Sequence, residues 1–253
     1  MLASEAKSTW ISGCGMVLGL IGALASSPGR AQQLETPVYK PGDTWTYREI
    51  TEKNANGWNQ TLSEIVVNRA TSSTIYYSTK QSGSTQAPKE AIAGTDWSRL
   101  RDVNGKETVI NRPLAFPLSV GKTWDVEYKE LKPNKDHKSE QWSSRCSAGG
   151  YETVDVPAGK FNALKIECEG KWLAELEPAR TVVQGARASE DNTTMITNVQ
   201  RTAAITASGR LYKAFWYAPE VKRWVKSVEE YYASNGTRNE RYSGELESYK
   251  FSN

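Results

Sequence analysis

Short runs of alternating apolar and polar residues recur along the chain and are separated by turn residues. In one run, Trp124, Val126 and Tyr128 share a face, which is the period of a half-buried strand. Asn104-Gly105 and Asn235-Gly236 are typical of tight hairpins. After the first thirty or so residues, no segment keeps a helical period. The pattern predicts about ten to thirteen strands and an all-β fold, either an antiparallel sandwich or an open, curved, barrel-like sheet.

One strand entry occurs twice. Val120-Gly121-Lys122-Thr123-Trp124 is echoed by Gly42-Asp43-Thr44-Trp45, with the two tryptophans 79 residues apart, at positions 45 and 124. A glycine turn leads in both copies into a strand that begins Thr-Trp. An aspartate replaces the lysine in the earlier copy, so the charge is not what the repeat preserves. The repeat predicts a single domain of two similar halves, about 38–115 and 116–253.

Two further segments have distinct turn chemistry or composition. Pro157-Ala158-Gly159-Lys160 lies between two alternating runs, and its proline and glycine predict a hairpin with a four-residue loop. Segment 178–209 has no aromatic residue and is rich in Thr, Ala, Ser and Asn. We interpret it as a polar insertion, either a long hairpin or a partly ordered segment.

Residues 1–31 have the character of a cleaved secretory signal peptide. Lys7 gives a weak positive start, an apolar run spans 15–25, and small residues precede Ala31. We expect cleavage after Ala31, with Ala25 as the alternative. The apolar run is shorter than the about 20 residues of a membrane-spanning helix, and no later segment is apolar enough to span. The sequence thus predicts a single β-domain over 32–253, located in the periplasm or secreted, with no stable membrane span in the mature chain.

The positions of the cysteines bear on where the protein is located. Ile11-Ser12-Gly13-Cys14 looks like a bacterial lipid-attachment box, but the apolar run follows the cysteine instead of preceding it, so we do not favour a lipid-anchored form. Removal of the signal leaves Cys146 and Cys168, which in an oxidising compartment are expected to form one disulfide. The alternative is a pair of reduced, buried thiols.

The composition is rich in large amphipathic rings. The chain has nine Trp, twelve Tyr and four Phe, and its mean hydropathy is −0.62. Such rings bury much area while keeping a polar atom near water. Five of them are candidates for an aromatic ligand-binding surface on one sheet face: Trp97, Trp142, Trp172, Trp216 and Trp224. The alternative is that most of them simply fill the core.

The chemistry inventory predicts no enzyme. The chain has one histidine, His137, among lysines in what we interpret as a solvated loop. It has no nucleophile elbow, zinc-protease motif or phosphate loop, so we predict no catalytic residue, metal site or cofactor. A net charge of +3 without a basic stripe indicates no nucleic-acid partner.

Four segments together resemble a known family. They are 116–124, 156–166, 216–226 and 246–249, including Val156-Pro157-Ala158-Gly159-Lys160-Phe161 and Trp216-Tyr217-Ala218-Pro219-Glu220-Val221. In this order and spacing they resemble the domain-of-unknown-function 3108-like (DUF3108-like) family of exported bacterial β-proteins. The resemblance covers most of 41–250. It implies an exported β-protein and transfers no catalytic residue.

Three functions remain open from the sequence. The first is a non-enzymatic envelope protein that binds an apolar or amphipathic ligand on an aromatic-lined sheet. The second is a structural or assembly protein that binds a protein partner through a sheet edge. The third, less favoured, is a glycan-acting enzyme. The corresponding partners are a lipid, a glycan or an envelope protein.

Overall fold

The computed structural model describes residues 33–53, 57–177, 181–188, 194–201 and 205–252. Fourteen strands account for most of these residues. They are β1 (Thr44–Lys53), β2 (Trp58–Ala70), β3 (Thr74–Gln81), β4 (Lys89–Gly94), β5 (Arg99–Val103), β6 (Lys106–Asn111), β7 (Thr123–Leu131), β8 (His137–Val156), β9 (Gly159–Leu176), β10 (Thr181–Ala188), β11 (Thr194–Arg201), β12 (Thr206–Ala218), β13 (Arg223–Ala233) and β14 (Arg238–Lys250). A 3₁₀ turn, Pro219–Val221, joins β12 to β13. The signal-peptide prediction for residues 1–31 lies outside the described residues.

Ten strands form one antiparallel sheet in the order β4-β3-β2-β1-β14-β13-β12-β9-β8-β7. The end strands β4 and β7 do not pair with each other, so the sheet is open. Within the described residues, β5 pairs with β6 and β10 with β11 as separate two-stranded sheets. The prediction of an all-β fold built on an open antiparallel sheet is confirmed. The β10–β11 hairpin lies within the segment interpreted as a polar insertion.

The sheet has an inner face, which carries the buried core, and a polar outer face. The inner face follows from alternation, because Trp45 and Tyr47 of β1 and Phe215 and Tyr217 of β12 are all buried. Residues from the connections cover it, among them Tyr39, Trp97, Leu114 and Leu118.

The repeated strand entry has the same role in both copies. Gly42 and Gly121 adopt φ of +90° and +85°, a backbone conformation that glycine adopts without steric cost. The indoles that follow are both buried. The Nε1–H of Trp45 donates to the carbonyl of Val221 at 2.8 Å. The Nε1–H of Trp124 donates to the backbone carbonyl of Arg112 at 2.9 Å. The preserved elements are a turn and a buried, hydrogen-bonded ring.

Two local predictions about strand ends were wrong in detail. Val156 and Gly159 are paired, so the β8–β9 turn consists of Pro157 and Ala158 alone and is shorter than the predicted four-residue loop. His137 begins β8 and its Nδ1 contacts a carboxylate oxygen of Glu140, so it does not lie in a solvated loop.

The structure contains the predicted disulfide. Cys146 of β8 and Cys168 of β9 are direct cross-strand partners, both buried, with their Cα atoms 3.9 Å apart. Strand alternation places both sulfurs on the inner face, as Leu164 and Ile166 indicate by their burial on the same side of β9.

Candidate functional site

A cavity of about 330 Å³ lies against the inner face of the sheet. Strands β1, β2, β3, β12, β13 and β14 form its floor, while Trp97 and the β5–β6 hairpin contribute the cover. Its size falls in the lower part of the range of small-molecule pockets, about 300–1,000 Å³. The largest rings around it are Tyr47, Tyr77, Trp97, Phe215, Trp224 and Tyr242.

Trp97 is held in place by its neighbours and not by its backbone preference. Its φ is +58°, a conformation that a bulky residue adopts only when the surroundings impose it, at a cost of about 1–3 kcal/mol. The ring lies edge-on to Tyr39, Trp45 and Tyr77 with centroids 5.4–5.8 Å away. Its Nε1–H donates to the Tyr39 hydroxyl at 3.1 Å. The wall of the cavity is therefore a fixed aromatic cluster.

A break in the β12–β13 ladder directs Arg223 and Trp224 to the cavity. Lys222 closes the 3₁₀ turn with φ +60°. Trp216 pairs with Lys226 and Tyr217 with Trp224, so Val225 is an extra residue on β13, which is the arrangement of a β-bulge. The bulge interrupts strict alternation, and both Arg223 and Trp224 line the cavity.

The backbone around Arg223 is fixed by donors from elsewhere in the fold. The Tyr39 hydroxyl donates to the carbonyl of Lys222 at 3.0 Å, and the Tyr47 hydroxyl to that of Trp224 at 2.5 Å. Lys222 Nζ donates to the buried carboxylate of Asp43 at 2.8 Å. Burial raises the pKa of Tyr47 to about 12, so this phenol stays protonated and a donor at neutral pH.

The Arg223 guanidinium is stacked among rings and is buried, with 7% of the residue exposed. Its Cζ lies 4.0 Å from the ring centroid of Trp97, 4.3 Å from that of Trp224 and 5.0 Å from that of Tyr47. Within the described residues, its Nε and Nη1 have no hydrogen-bond partner. Most buried cations in proteins are paired with an anion.

Glu229, another residue of the cavity lining, belongs to an ion pair. Glu229 accepts from Lys213 Nζ at 3.0 Å, and Lys213 also donates to Asn111 of β6 at 3.0 Å. Burial alone would favour protonation of Glu229, but the charge of Lys213 and the hydrogen bonds from Lys213 and Tyr231 outweigh it and lower the pKa of Glu229. Glu229 is consequently a carboxylate at neutral pH.

A second aromatic group lies further along the inner face. Tyr128, Trp142 and Trp172 are direct cross-strand partners on β7, β8 and β9, and consecutive ring centroids are 6.3 and 6.1 Å apart in stacked orientation. The Trp172 ring lies over Gly209 of β12, where a Cβ would come within 2.6 Å of its Nε1.

Trp216 lies on the outer face, apart from the other four predicted tryptophans. Its Nε1–H donates to Glu152 at 2.8 Å, and the ammonium groups of Lys165 and Lys226 lie 5.6 and 5.8 Å from its ring centroid.

The five predicted rings thus fall in three places: Trp97 with Trp224 at the cavity, Trp142 with Trp172 in the stacked row, and Trp216 alone. Arg223 was not among the candidates predicted from the sequence. Only the β-bulge and the burial of its neighbours distinguish it from the other arginines.

Among the described residues there is no cluster of three or more His, Cys, Asp or Glu side chains that could hold a metal ion. Over the same ranges, none of the helical segments has the length and apolar character required to cross a membrane.

Comparison with solved structures gives weak likenesses, among them the following two. A proposed exported protein with a YmcC-like fold from Bacteroides fragilis is 17% identical, with 87% of this chain and 100% of that chain covered and a TM-score of 0.42. A proposed lipoprotein from Parabacteroides distasonis is 14% identical, with 86% and 97% covered and a TM-score of 0.44. Likenesses at this level carry no conclusion about the chain described here.

Neither a family model nor a curated protein sequence matches the chain. The resemblance to the domain-of-unknown-function 3108-like family therefore stays a prediction from the four sequence segments.

Proposed function

We propose that the chain is an exported, non-enzymatic protein of the bacterial envelope that binds a small apolar or amphipathic ligand in the cavity on the inner face. The cavity itself is the observation that carries the proposal. A core this rich in rings could have closed completely, yet about 330 Å³ stays open between Tyr77, Trp97, Phe215 and Trp224. Pockets lined by aromatic side chains with a few polar groups are the usual form of small-molecule sites.

The polar lining supports binding over catalysis. Two carboxylates, Glu49 and Glu229, line the cavity, so a glycan-cleaving pair is the enzyme to weigh. Such a pair needs one carboxyl with a raised pKa to act as the acid. The pKa of Glu229 is instead lowered by Lys213, and Glu49 is exposed and accepts a hydrogen bond from Ser63 at 2.6 Å. Glu229, the more buried carboxyl of the two, is therefore held ionised and has no proton for a leaving group.

Native mass spectrometry of the full-length protein isolated from the envelope of a bacterial host tests the proposal. We expect a small molecule that co-purifies with the folded protein and is released on denaturation. Ser227→Phe, which places a ring in the cavity, should reduce its occupancy. Trp216→Phe is the matched control on the outer face and should retain it. A protein that carries no small molecule, or a Ser227→Phe variant that is folded by circular dichroism and fully occupied, would contradict a site in this cavity.

The alternative is an assembly protein that pairs through a sheet edge. It is favoured by the open end of the sheet at β4, where the side chain of Ile92 is exposed and unpaired backbone groups offer a template for a further strand. In the same experiment this alternative predicts a stoichiometric protein partner, which Ile92→Lys should release while leaving any cavity ligand bound. β4 has only six residues, two of them the charged Lys89 and Glu90, which is a common defence of an edge against pairing.

A further inference from the structure

The Arg223 guanidinium lacks the counterion that its burial calls for. Among the described residues, no carboxylate oxygen lies within 4.0 Å of its nitrogens, and neither Nε nor Nη1 has a hydrogen-bond acceptor. The neighbouring carbonyls of Val221, Lys222 and Trp224 already accept bonds from Trp45, Tyr39 and Tyr47. Removing a charge from water without a partner is costly. The buried guanidinium of Arg223 therefore lowers the stability of the fold.

The surrounding rings compensate for only part of that cost. A cation over an aromatic face is attracted by the ring, and Arg223 stacks closely on Trp97 and Trp224. Ring faces attract the charge, but they do not accept the directed N–H bonds that a guanidinium offers in a planar fork. That fork matches a carboxylate in geometry as well as charge.

The carboxylates of the cavity lining do not pair with Arg223. Arg99 and Arg223 are the cations of the lining, and Glu49 and Glu229 are its anions. Glu229 pairs with Lys213 at 3.0 Å, and Glu49 is exposed and accepts a hydrogen bond from Ser63. A ligand carboxylate would supply the partner that the buried guanidinium of Arg223 lacks.

We propose that Arg223 is the anion-recognition residue of the cavity and that the ligand is an organic monocarboxylate, with its carboxylate on the guanidinium and its apolar or aromatic body between the rings of Tyr77, Trp97, Phe215 and Trp224. The inference rests on the proposed function and specifies the ligand class of the same cavity. Stacking on Trp97 and Trp224 holds the guanidinium plane in place before the ligand arrives, so binding requires little reordering.

Isothermal titration at pH 7 with octanoate and 1-octanol, which share an apolar chain and differ in charge, tests the inference on full-length protein freed of co-purified molecules. We expect octanoate to bind roughly tenfold to hundredfold more tightly than octanol, the usual value of a hydrogen bond to a charged group. Arg223→Gln should abolish this preference and leave octanol binding unchanged. Arg48→Gln is the matched control, because Arg48 pairs with Glu245 on the outer face, and it should retain the preference.

The outcomes separate the inference from the function on which it rests. If both compounds bind the wild type equally, or if Arg223→Gln keeps the octanoate preference, the role of Arg223 is wrong while the cavity remains a binding site. If neither compound binds the wild type, the inference is wrong, and the native mass spectrum described above decides the function. Should Arg223→Gln fail to fold, the wild type still gives an answer: the Arg223 Nε–H resonance in ¹⁵N-arginine-labelled protein should shift markedly further with octanoate than with octanol. A resonance that ignores octanoate would overturn the inference.

Discussion

Single tryptophans in this chain differ widely in what they contribute, and a pair of equal substitutions makes the difference measurable. Trp45 is 0% exposed and its indole N–H donates to the carbonyl of Val221 at 2.8 Å, whereas Trp58 is 70% exposed. Trp45→Phe leaves a buried carbonyl without its donor, so we expect the free energy of unfolding to fall by about 1–3 kcal/mol. Trp58→Phe should stay within about 0.5 kcal/mol of the wild type. Urea unfolding followed by circular dichroism compares the two, and equal losses would show that the hydrogen bond of Trp45 contributes nothing.

The pKa of Glu229 makes a further prediction at the residue scale. In the folded protein this pKa lies below its ordinary value of 4.5, because Lys213 outweighs the effect of burial. The stability that the ionised group contributes is therefore fully present above pH 4.5 and is lost as the pH falls through the folded pKa. Glu229→Gln should be less stable than the wild type at pH 7, and the gap should narrow as the pH falls below 4.5.

Urea unfolding between pH 7 and pH 3 measures that gap. Asp155→Asn is the control, since Asp155 pairs with Lys160 at 3.5 Å on the surface with both side chains about 70% exposed, where an ion pair contributes little. Its gap to the wild type should stay near zero across the range. A Glu229→Gln gap that is constant with pH would refute the assignment of the lowered pKa to Glu229.

At the scale of single residues, the sequence predicts which residue types are candidates and that they are buried. It does not predict which residues they contact. Aromatic richness identified rings as the candidates, and Trp97 and Trp224 do line the cavity. Nothing in the local sequence distinguishes Arg223 from Arg210 or Arg241, because its burial depends on rings from β1 and from the β4–β5 connection, distant in sequence. A site assembled from remote strands is accessible only through the fold.

At the scale of elements, two glycines in different strands of the sheet should respond differently to the same change. A Cβ on Gly209 of β12 would lie 2.0 Å from the carbonyl oxygen of Tyr232 and within 3 Å of the Trp172 ring, while a Cβ on Gly150 of β8 would meet nothing within 4 Å. Gly209→Ala forces backbone apart and should cost about 1–3 kcal/mol. Gly150→Ala should change the free energy of unfolding by less than about 0.5 kcal/mol. Urea unfolding midpoints measure both changes. A Gly209→Ala variant as stable as the wild type would mean that β12 and β13 can move apart without loss of stability.

Hairpin turns were more predictable from the sequence than strand ends. The Asn-Gly pairs at Asn104 and Asn235 do lie at the β5–β6 and β13–β14 turns. The pair Gly149-Gly150, by contrast, has the composition of a strand break, yet β8 runs through it with only a shift of register between Ala148 and Tyr151. Local turn chemistry cannot tell a chain reversal from a bulge, because the neighbouring strand decides which one forms.

For the whole molecule, alternation was enough to predict an all-β chain, but not which strands meet. The sheet is joined in its middle by β1 and β14, the first and last strands, a pairing that no local signal encodes. The cavity lies between this junction and β12–β13, so its position follows from long-range topology. The disulfide was easier to predict, because the predicted signal cleavage would leave two cysteines and therefore one intramolecular pairing.

The export that the sequence predicts can be tested on the full-length chain in a Gram-negative host. The periplasmic fraction should contain protein whose intact mass begins at Gln32, with Ser26 as the alternative start, because small residues stand at and two places before Ala31 and Ala25. Denatured without reduction, that protein should take up no thiol reagent, since Cys146 and Cys168 are joined; after reduction it should take up two equivalents. Ala31→Arg puts a large cation at the expected cleavage point, so it should shift the start to Ser26 or leave the signal attached, whereas Gln33→Arg, beyond that point, should be processed as the wild type is. Protein that keeps Cys14 with the added mass of acyl chains would show a lipid anchor, and unprocessed protein in the cytosol with three reactive thiols would contradict export altogether.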